Sequence, residues 1–529
     1  MATPGFRKEM FSNLKAELPA QLPAYLKNQR WFGAKAQELR STEVLDVVTL
    51  QRDGFKALVL FVNVEYRGGG ADLYSVPMVA AEHHGALIGE DASSLLSISG
   101  PDGDKHLVFT DALKDEDFLS LMLEAIQTDL IFTGEDSEIR TSHTQALSLQ
   151  ETGAAGSLRP RAIKAEQSNS SIAYGDRLML KFFRRLEEGL NPDLEMSSFL
   201  TGKAHYRHTP QLLGALEYST GKGRRMTQGI LQAFVPNQGD AWQYTMNSIS
   251  SFYDDAVKAS SEPPPTAGQN RFGRASLASF LESVELLAKR TAELHLALAS
   301  DSHDPDFAPE SFDEKFQQSF ENSLLELTER VFAQLRQTKN HLPEVASLKA
   351  QEILSSEQHI TQRFRSALSN PMHALRTRIH GDYHLGQVLY TGADFVIIDF
   401  EGEPARPLSE RRQKRSPLQD VSGMLRSFHY AAYAPLLAPA RTRSIAESKK
   451  GNLNLWAEAW AKWVGDRFLT EYLKIAGGAS FLPPTRTEIT ALLQLHVLEK
   501  AVYELGYELN NRPEWVAIPL EGISKALES

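Results

Sequence analysis

A chain of 529 residues is long enough for two to four packed units at roughly 100–200 residues each, and 42% apolar residues is ordinary for a globular protein. With 56 Lys and Arg against 67 Asp and Glu, the net charge of −11 favours solubility and disfavours attraction to polyphosphate surfaces, so nucleic acid is not an expected partner. Cysteine is absent, which excludes disulfide stapling and thiolate zinc sites, while 15 histidines leave other metal chemistry open. No run of about 18 apolar residues is present to cross a bilayer, and Met1 to Leu18 carries charges in place of a signal-peptide apolar stretch. The expectation is a cytoplasmic protein without a membrane partner.

Helical spacing of apolar residues runs from Phe6 to Asn28, and Val44 to Leu50 and Ala57 to Tyr66 then read as strands meeting at Arg52-Asp53-Gly54. Leu107 to Thr110, Ala162 to Lys164, Ser171 to Tyr174 and Leu178 to Phe183 are further strand-like text, interrupted by a helix from Asp115 to about Thr128. Beyond Phe234 the texture becomes helical. Ser260 to Gly268, with three consecutive prolines, reads as a loop. Leu277, Phe280, Leu281, Val284, Leu287, Leu294 and Leu298 then form one helical stripe, and two long charge-laced helices are expected between Phe312 and Leu368. The fold class is therefore α+β, with a β-rich front half and a helical back half, an arrangement that commonly places a ligand cleft between two lobes.

The chemistry concentrates in Ile379-His-Gly-Asp-Tyr-His-Leu-Gly-Gln-Val-Leu-Tyr390 and Phe395-Val-Ile-Ile-Asp-Phe-Glu-Gly-Glu-Pro404. Val388 to Tyr390 and Phe395 to Ile398 read as a hairpin turning at Thr391-Gly392-Ala393-Asp394, with Asp399 at a strand end and Asp382 in the loop entering the other strand. Phosphoryl transfer needs magnesium, charge neutralisation and a carboxylate oriented to take the hydroxyl proton. In kinase catalytic loops the base Asp precedes a magnesium-binding amide by five positions, which is the spacing from Asp382 to Gln387; Asp399 then fits a second ligand for hard Mg²⁺. Taken singly, His-Gly-Asp is also a plain turn and Asp399 a helix cap, but their combination points to a phosphotransferase or another metal-dependent site.

A kinase also needs a cation for ATP, and Lys181 in Arg177-Leu-Met-Leu-Lys-Phe-Phe183 is the candidate, on the strand face opposite Leu178 and Leu180. A solvated strand lysine is the alternative. Ahead of it, Glu166 to Ile172 supplies small hydroxyl and amide side chains, including Ser168 and Asn169, able to cover phosphates. Asn191-Pro192 reads as a helix start, placing Glu195 inside the helix as an ion-pair partner for Lys181. Neither GxxxxGK[ST] nor GxGxxG occurs, which argues against P-loop and Rossmann sites.

These motifs resemble the maltokinase family of the aminoglycoside-phosphotransferase and eukaryotic-like kinase superfamily. The match extends nearly end to end, through Asn28 to Lys35, Glu166 to Asn169, Lys181 to Glu195, His380 to Gln387, Asp399 to Pro404, Pro417 to Ser427 and Lys500 to Trp515. The resemblance implies a bilobal protein-kinase-like fold, with an N-terminal cap over 1–105, an intermediate β-rich subdomain over 106–235 and a helical C-lobe over 236–529. It implies ATP and Mg²⁺ as cofactors and maltose 1-phosphate as product, in the service of α-glucan synthesis, and it names trehalose synthase as a candidate partner.

Residue by residue, Asp382 resembles the catalytic base, Gln387 and Asp399 the metal ligands, Lys181 the phosphate lysine and Glu195 its partner. Gln232 to Val235 resembles the segment that meets adenine. Three departures from the broader kinase pattern stand out: Gln at 387, Asp-Phe-Glu-Gly as the metal motif, and no glycine-rich loop. Lys500, Tyr503, Glu504 and Tyr507 share one helix face and suit a sugar, as an aromatic and charged surround; core aromatics beside a surface ion pair would have the same spacing. His384 and Glu401 are further substrate candidates. His380 is expected to orient the catalytic loop and Trp31 to pack. The basic run Arg406 to Arg415 is expected to be a solvated loop leading to a helix entrance at Ser416-Pro417. A glucosamine or other sugar kinase of the same fold, and an inactive kinase-like scaffold for trehalose synthase, are the competing readings.

Overall fold

The computed structural model describes residues 4–80, 95–99, 106–148, 158–163, 169–258, 263, 274–437 and 447–528. Two compact units emerge: Met1–Gly202 with Pro210–Pro236, and Lys203–Thr209 with Asn237–Ser529. The expected loop at Ser260 to Gly268 lies, Pro263 apart, outside the described residues, as does Ser168.

The first unit begins with α1 (Pro4–Asn28) and the strands β1 (Leu39–Arg52), β2 (Phe55–Tyr66), β3 (Ala71–Ala80), β4 (Leu96–Ser99) and β5 (His106–Asp111). They form an antiparallel sheet in the order β1-β2-β3-β5-β4. Asp53 and Gly54 both have positive φ, 47° and 87°, the conformation a two-residue hairpin turn requires. Strand residues alternate between two cores. Val47 and Leu60 pack in the cluster that contains Leu14, Leu18 and Leu22 of α1, while Val48 and Phe61 enter a second cluster. That two-sided burial explains why β2 reads as a nearly unbroken apolar run.

The second cluster is shared with α2 (Glu116–Gln127) and a seven-stranded sheet. Its strands are β6 (Ile131–Thr133), β7 (Ser137–His143), β8 (Pro160–Ile163), β9 (Asn169–Tyr174), β10 (Leu178–Phe183), β12 (Leu212–Thr220) and β13 (Arg225–Ala233), ordered β6-β7-β12-β13-β10-β9-β8. The two-residue β11 (Arg185–Leu186) crosses over to pair with β3 of the first sheet. Phe61 stacks on Tyr218 with ring centroids 3.5 Å apart, and the Tyr218 hydroxyl donates to Asp46 of β1 at 2.8 Å, so ring and hydrogen bond together tie the sheets. The short α3 (Pro192–Ser198) is capped by the Asn191 side chain, with Pro192 in its first turn as the sequence predicts.

The second unit contains α4 (Ala241–Lys258) and α5 (Arg274–Leu298), the latter burying the predicted stripe from Leu277 to Leu298. Between Phe312 and Leu368 there are three helices where two were expected: α6 (Glu314–Thr338), α7 (Glu344–Ser355) and α8 (Glu357–Ala367). Pro343 separates the first two because proline disfavours α conformation in the residue before it, and Ser356 breaks the chain between the others. After the two-residue pair β14 (Glu310–Ser311) and β15 (Leu375–Arg376) comes the predicted hairpin of β16 (Val388–Tyr390) and β17 (Phe395–Ile397). Helices α9 (Leu418–Leu437), α10 (Glu447–Ala476), α11 (Arg486–Asn511) and α12 (Ala517–Glu528) complete the unit, with α11 packed against α6, α9 and α12. Among the described residues no helix is long and apolar enough to cross a membrane.

Candidate active site

The loop His380-Gly381-Asp382 is fixed from behind by Asp420, in the first turn of α9. Its carboxylate accepts the His380 backbone N–H at 2.7 Å and that of Gly381 at 2.9 Å, and it faces His295 Nε2 at 3.2 Å. Burial alone would raise the Asp420 carboxyl; His295, His380 and the Gly381 N–H hold it below its ordinary value. Gly381 takes φ +83°, and Gly423 of α9 lies so close that a Cβ would stand 2.5 Å from the Tyr383 carbonyl oxygen. His380 donates Nε2–H to the Ile398 carbonyl at 2.9 Å and turns Nδ1 toward the Asp382 N–H at 3.4 Å. One imidazole thereby orients the loop and joins it to the end of β17.

Asp382 projects with Lys500 Nζ 3.8 Å from Oδ1 and His384 Nε2 3.8 Å from Oδ2. Burial pushes its carboxyl up, Lys500 and His380 pull it down, and Asp399 and Asp420 push it up again; the net shift is upward. His384 accepts the Gly386 N–H on Nδ1 at 3.0 Å. Burial, then Lys500 and His380, lower its imidazole to about 4, so it is neutral at physiological pH.

The hairpin sets the other acid. Asp394 in its turn is gripped by both ends of the Arg290 guanidinium, at 2.8 and 2.7 Å, and the Tyr390 N–H donates to the Gly239 carbonyl at 2.9 Å. At the end of β17, Asp399 adopts φ +67°, a left-handed conformation that Asp tolerates better than most residues and that marks stored strain. Gln387, five residues after Asp382, donates Nε2–H to Asp399 Oδ2 at 2.8 Å. The amide carbonyl oxygen of Gln387 is then the atom left for a cation, and Glu401 brings a carboxylate oxygen within 4.8 Å of one on Asp399. An amide oxygen beside carboxylates is a hard donor set that fits Mg²⁺ and contains nothing suited to a soft metal.

A small recess of about 30 Å³ opens beside Gly381. Lys500 and Tyr503, which share a helix face, line it together with Glu403, Arg406, Gln419, Ser422, His496 and Glu499. Lys500 is kept charged: burial would lower its pKa, but Asp382, Glu403 and Glu504 outweigh burial. Burial and a hydrogen bond to Glu403 push the Tyr503 hydroxyl far up, so it is neutral. Glu499 is bonded by His496 Nδ1 at 2.9 Å, while buried His496 Nε2 has no hydrogen-bond partner among the described residues. The other two residues on that face go elsewhere. Glu504 receives Arg426 Nε at 2.8 Å, and exposed Tyr507 lies under Arg512, whose guanidinium carbon is 5.6 Å from the ring centroid.

The basic run is not the solvated loop expected. Buried Lys414 bonds Glu310 at 2.8 Å and the Pro305 carbonyl at 2.7 Å. Arg411 donates to the Glu401 carbonyl at 3.1 Å, and Arg406 reaches Glu499 at 3.9 Å. These long-range partners convert a charge run into a brace around the Asp399 segment, and α9 does begin at Leu418, directly after Ser416-Pro417.

In the first unit, Lys181 Nζ pairs with Asp193 at 3.0 Å, and Glu195, the partner expected from the sequence, is buried two residues further along α3. Asp193 carries no sequence signal of its own, because it sits beside the cap, where an acid in a first turn is ordinary. Asn169 stands opposite Phe183 on β9, and Gln232, on β13 opposite Met179, donates to Ser197 Oγ at 3.2 Å; Val235 follows the end of β13.

The family model of the maltokinase N-terminal cap domain matches residues 25–115. A glucosamine kinase of Mycolicibacterium smegmatis is 22% identical over 359 residues, 68% of this chain and 77% of the relative. One from Streptacidiphilus jiangxiensis is 21% identical over 378 residues, 70% and 73% of the two chains. A solved glucosamine kinase in complex with glucosamine, ADP and inorganic phosphate superposes with a TM-score of 0.61 at 16% identity, covering 97% of this chain and 98% of its own. The chain therefore carries a maltokinase N-terminal cap and has the kinase-like fold of the glucosamine kinases.

Proposed function

We propose that the protein is an ATP- and Mg²⁺-dependent sugar kinase that phosphorylates maltose at its anomeric hydroxyl, giving maltose 1-phosphate and ADP for α-glucan synthesis. The observation that carries this reading is Asp382, a carboxylate with an upward-shifted pKa, on a braced loop that leads into the Gln387–Asp399 pair. A raised carboxyl is a better proton acceptor near neutral pH than an ordinary one. As the sugar oxygen bonds to the γ-phosphorus, its proton passes to Asp382 and the bond to the ADP oxygen breaks. Lys181, steadied by Asp193, offers its ammonium to the nucleotide phosphates. Gln387 and Asp399 would hold Mg²⁺, which supplies positive charge against the phosphate oxygens.

The maltokinase-type cap supports maltose as acceptor. Glucosamine is the second reading, favoured by the names of the relatives. A coupled ADP-release assay with Mg-ATP against maltose, glucosamine, glucose and trehalose, with the product identified by NMR, separates them. Maltose turnover to the anomeric 1-phosphate is expected. A preference for glucosamine would overturn the acceptor while keeping the machinery, and no turnover on any sugar would overturn the kinase reading.

A further inference from the structure

Arg184 is the residue at which the chain leaves one sheet for the other. It follows β10, which carries Lys181, and precedes β11, which pairs with β3 of the cap. Its side chain is almost fully buried, with 2% of its surface exposed. From that position it holds both sheets. Nη2 donates to Asp111, the last residue of β5, at 2.6 Å, and Nε donates to Ser170 Oγ on β9 at 3.0 Å. The guanidinium carbon lies 4.6 Å from the Trp31 ring centroid, and the Arg184 carbonyl accepts the Ser75 N–H of β3 at 2.7 Å. Trp31 and Asp111 lie near the two ends of the matched cap segment. Ser170 stands in register with Phe182 and is the neighbour of Ser171, which stands opposite Lys181.

A guanidinium buried with one carboxylate, one hydroxyl and one indole face is a costly arrangement for simple packing, since apolar side chains of like volume fill such a space as well or better. Arginine does what they do not: its planar fork fixes two strands and an aromatic ring in one geometry. We propose that Arg184 is a positioning residue through which the cap holds the β9–β10 pair, and with it Lys181, in the arrangement that binds nucleotide phosphate. The cap thereby sets affinity for Mg-ATP, in addition to any role it has toward sugar. This rests on Lys181 being the phosphate lysine.

The test measures Mg-ATP binding by calorimetry and the two KM values separately, in Arg184→Lys, Trp31→Leu and Lys181→Met. Arg184→Lys keeps a charge for Asp111 but loses the fork and most of the stacking, so it is the variant expected to fold. Both Arg184→Lys and Trp31→Leu should weaken Mg-ATP binding roughly ten-fold, about one decade in Kd, and leave the KM for sugar unchanged. A role confined to stability would lower the melting temperature and leave both constants alone. If the two variants fold and bind Mg-ATP as the parent does, while Lys181→Met binds it weakly, the proposal fails. If Lys181→Met binds Mg-ATP normally, the phosphate-lysine reading fails first and the proposal with it.

Discussion

Asp420 Oδ2 accepts the backbone N–H of His380 at 2.7 Å, so a carboxylate remote in sequence fixes the loop that carries the reacting acid. Because the folded state holds this carboxyl below its ordinary value, its stabilising contribution is present above about pH 3.9 and is lost as pH falls through the lower folded value. Asp420→Ala leaves two loop N–H groups and His295 without their acceptor, and should cost on the order of 3–5 kcal/mol in urea unfolding. Asp420→Asn should keep more stability yet reduce turnover, with the acid-side loss of stability flattened.

Lys500 stands 3.8 Å from Asp382 and is among the groups that lower its carboxyl against burial. Removing that charge in Lys500→Met should raise the Asp382 pKa. The acid limb of kcat/KM, where the base becomes protonated, should therefore move to higher pH, and a pH–rate profile reads it directly. His384→Asn should leave that limb nearly in place, because His384 titrates only near pH 4.

Arg290 and Asp394 pin the hairpin turn to α5 through a two-point contact. The pair is partly exposed, so Asp394→Ala should cost only roughly 1 kcal/mol in global unfolding. Its larger expected effect is a drop in turnover, since the hairpin sets Gln387 and Asp399; comparing unfolding and steady-state kinetics in one variant separates the two.

What could be read from the sequence was what is local. The hairpin between Val388 and Ile397, the Asn191 cap and the burial of the stripe from Leu277 to Leu298 depend on residues a few positions apart. β12 and β13 passed unread because Gly214 and Gly229, with interspersed polar residues, weaken their strand signal, and only pairing within the seven-stranded sheet makes strands of them. Asp193, Asp420 and the Lys414 brace were equally hidden. Each is an ordinary charged residue in its own segment, and its role comes from a partner that the fold delivers.

The most direct measurement pairs turnover with calorimetric Mg-ATP binding in Asp382→Asn, alongside Asp399→Asn. With Asp382 as the base and Asp399 as a metal ligand, Asp382→Asn should bind Mg-ATP normally and lose turnover by roughly two to four orders of magnitude; Asp399→Asn should lose both binding and turnover. Undiminished turnover in Asp382→Asn would contradict the account.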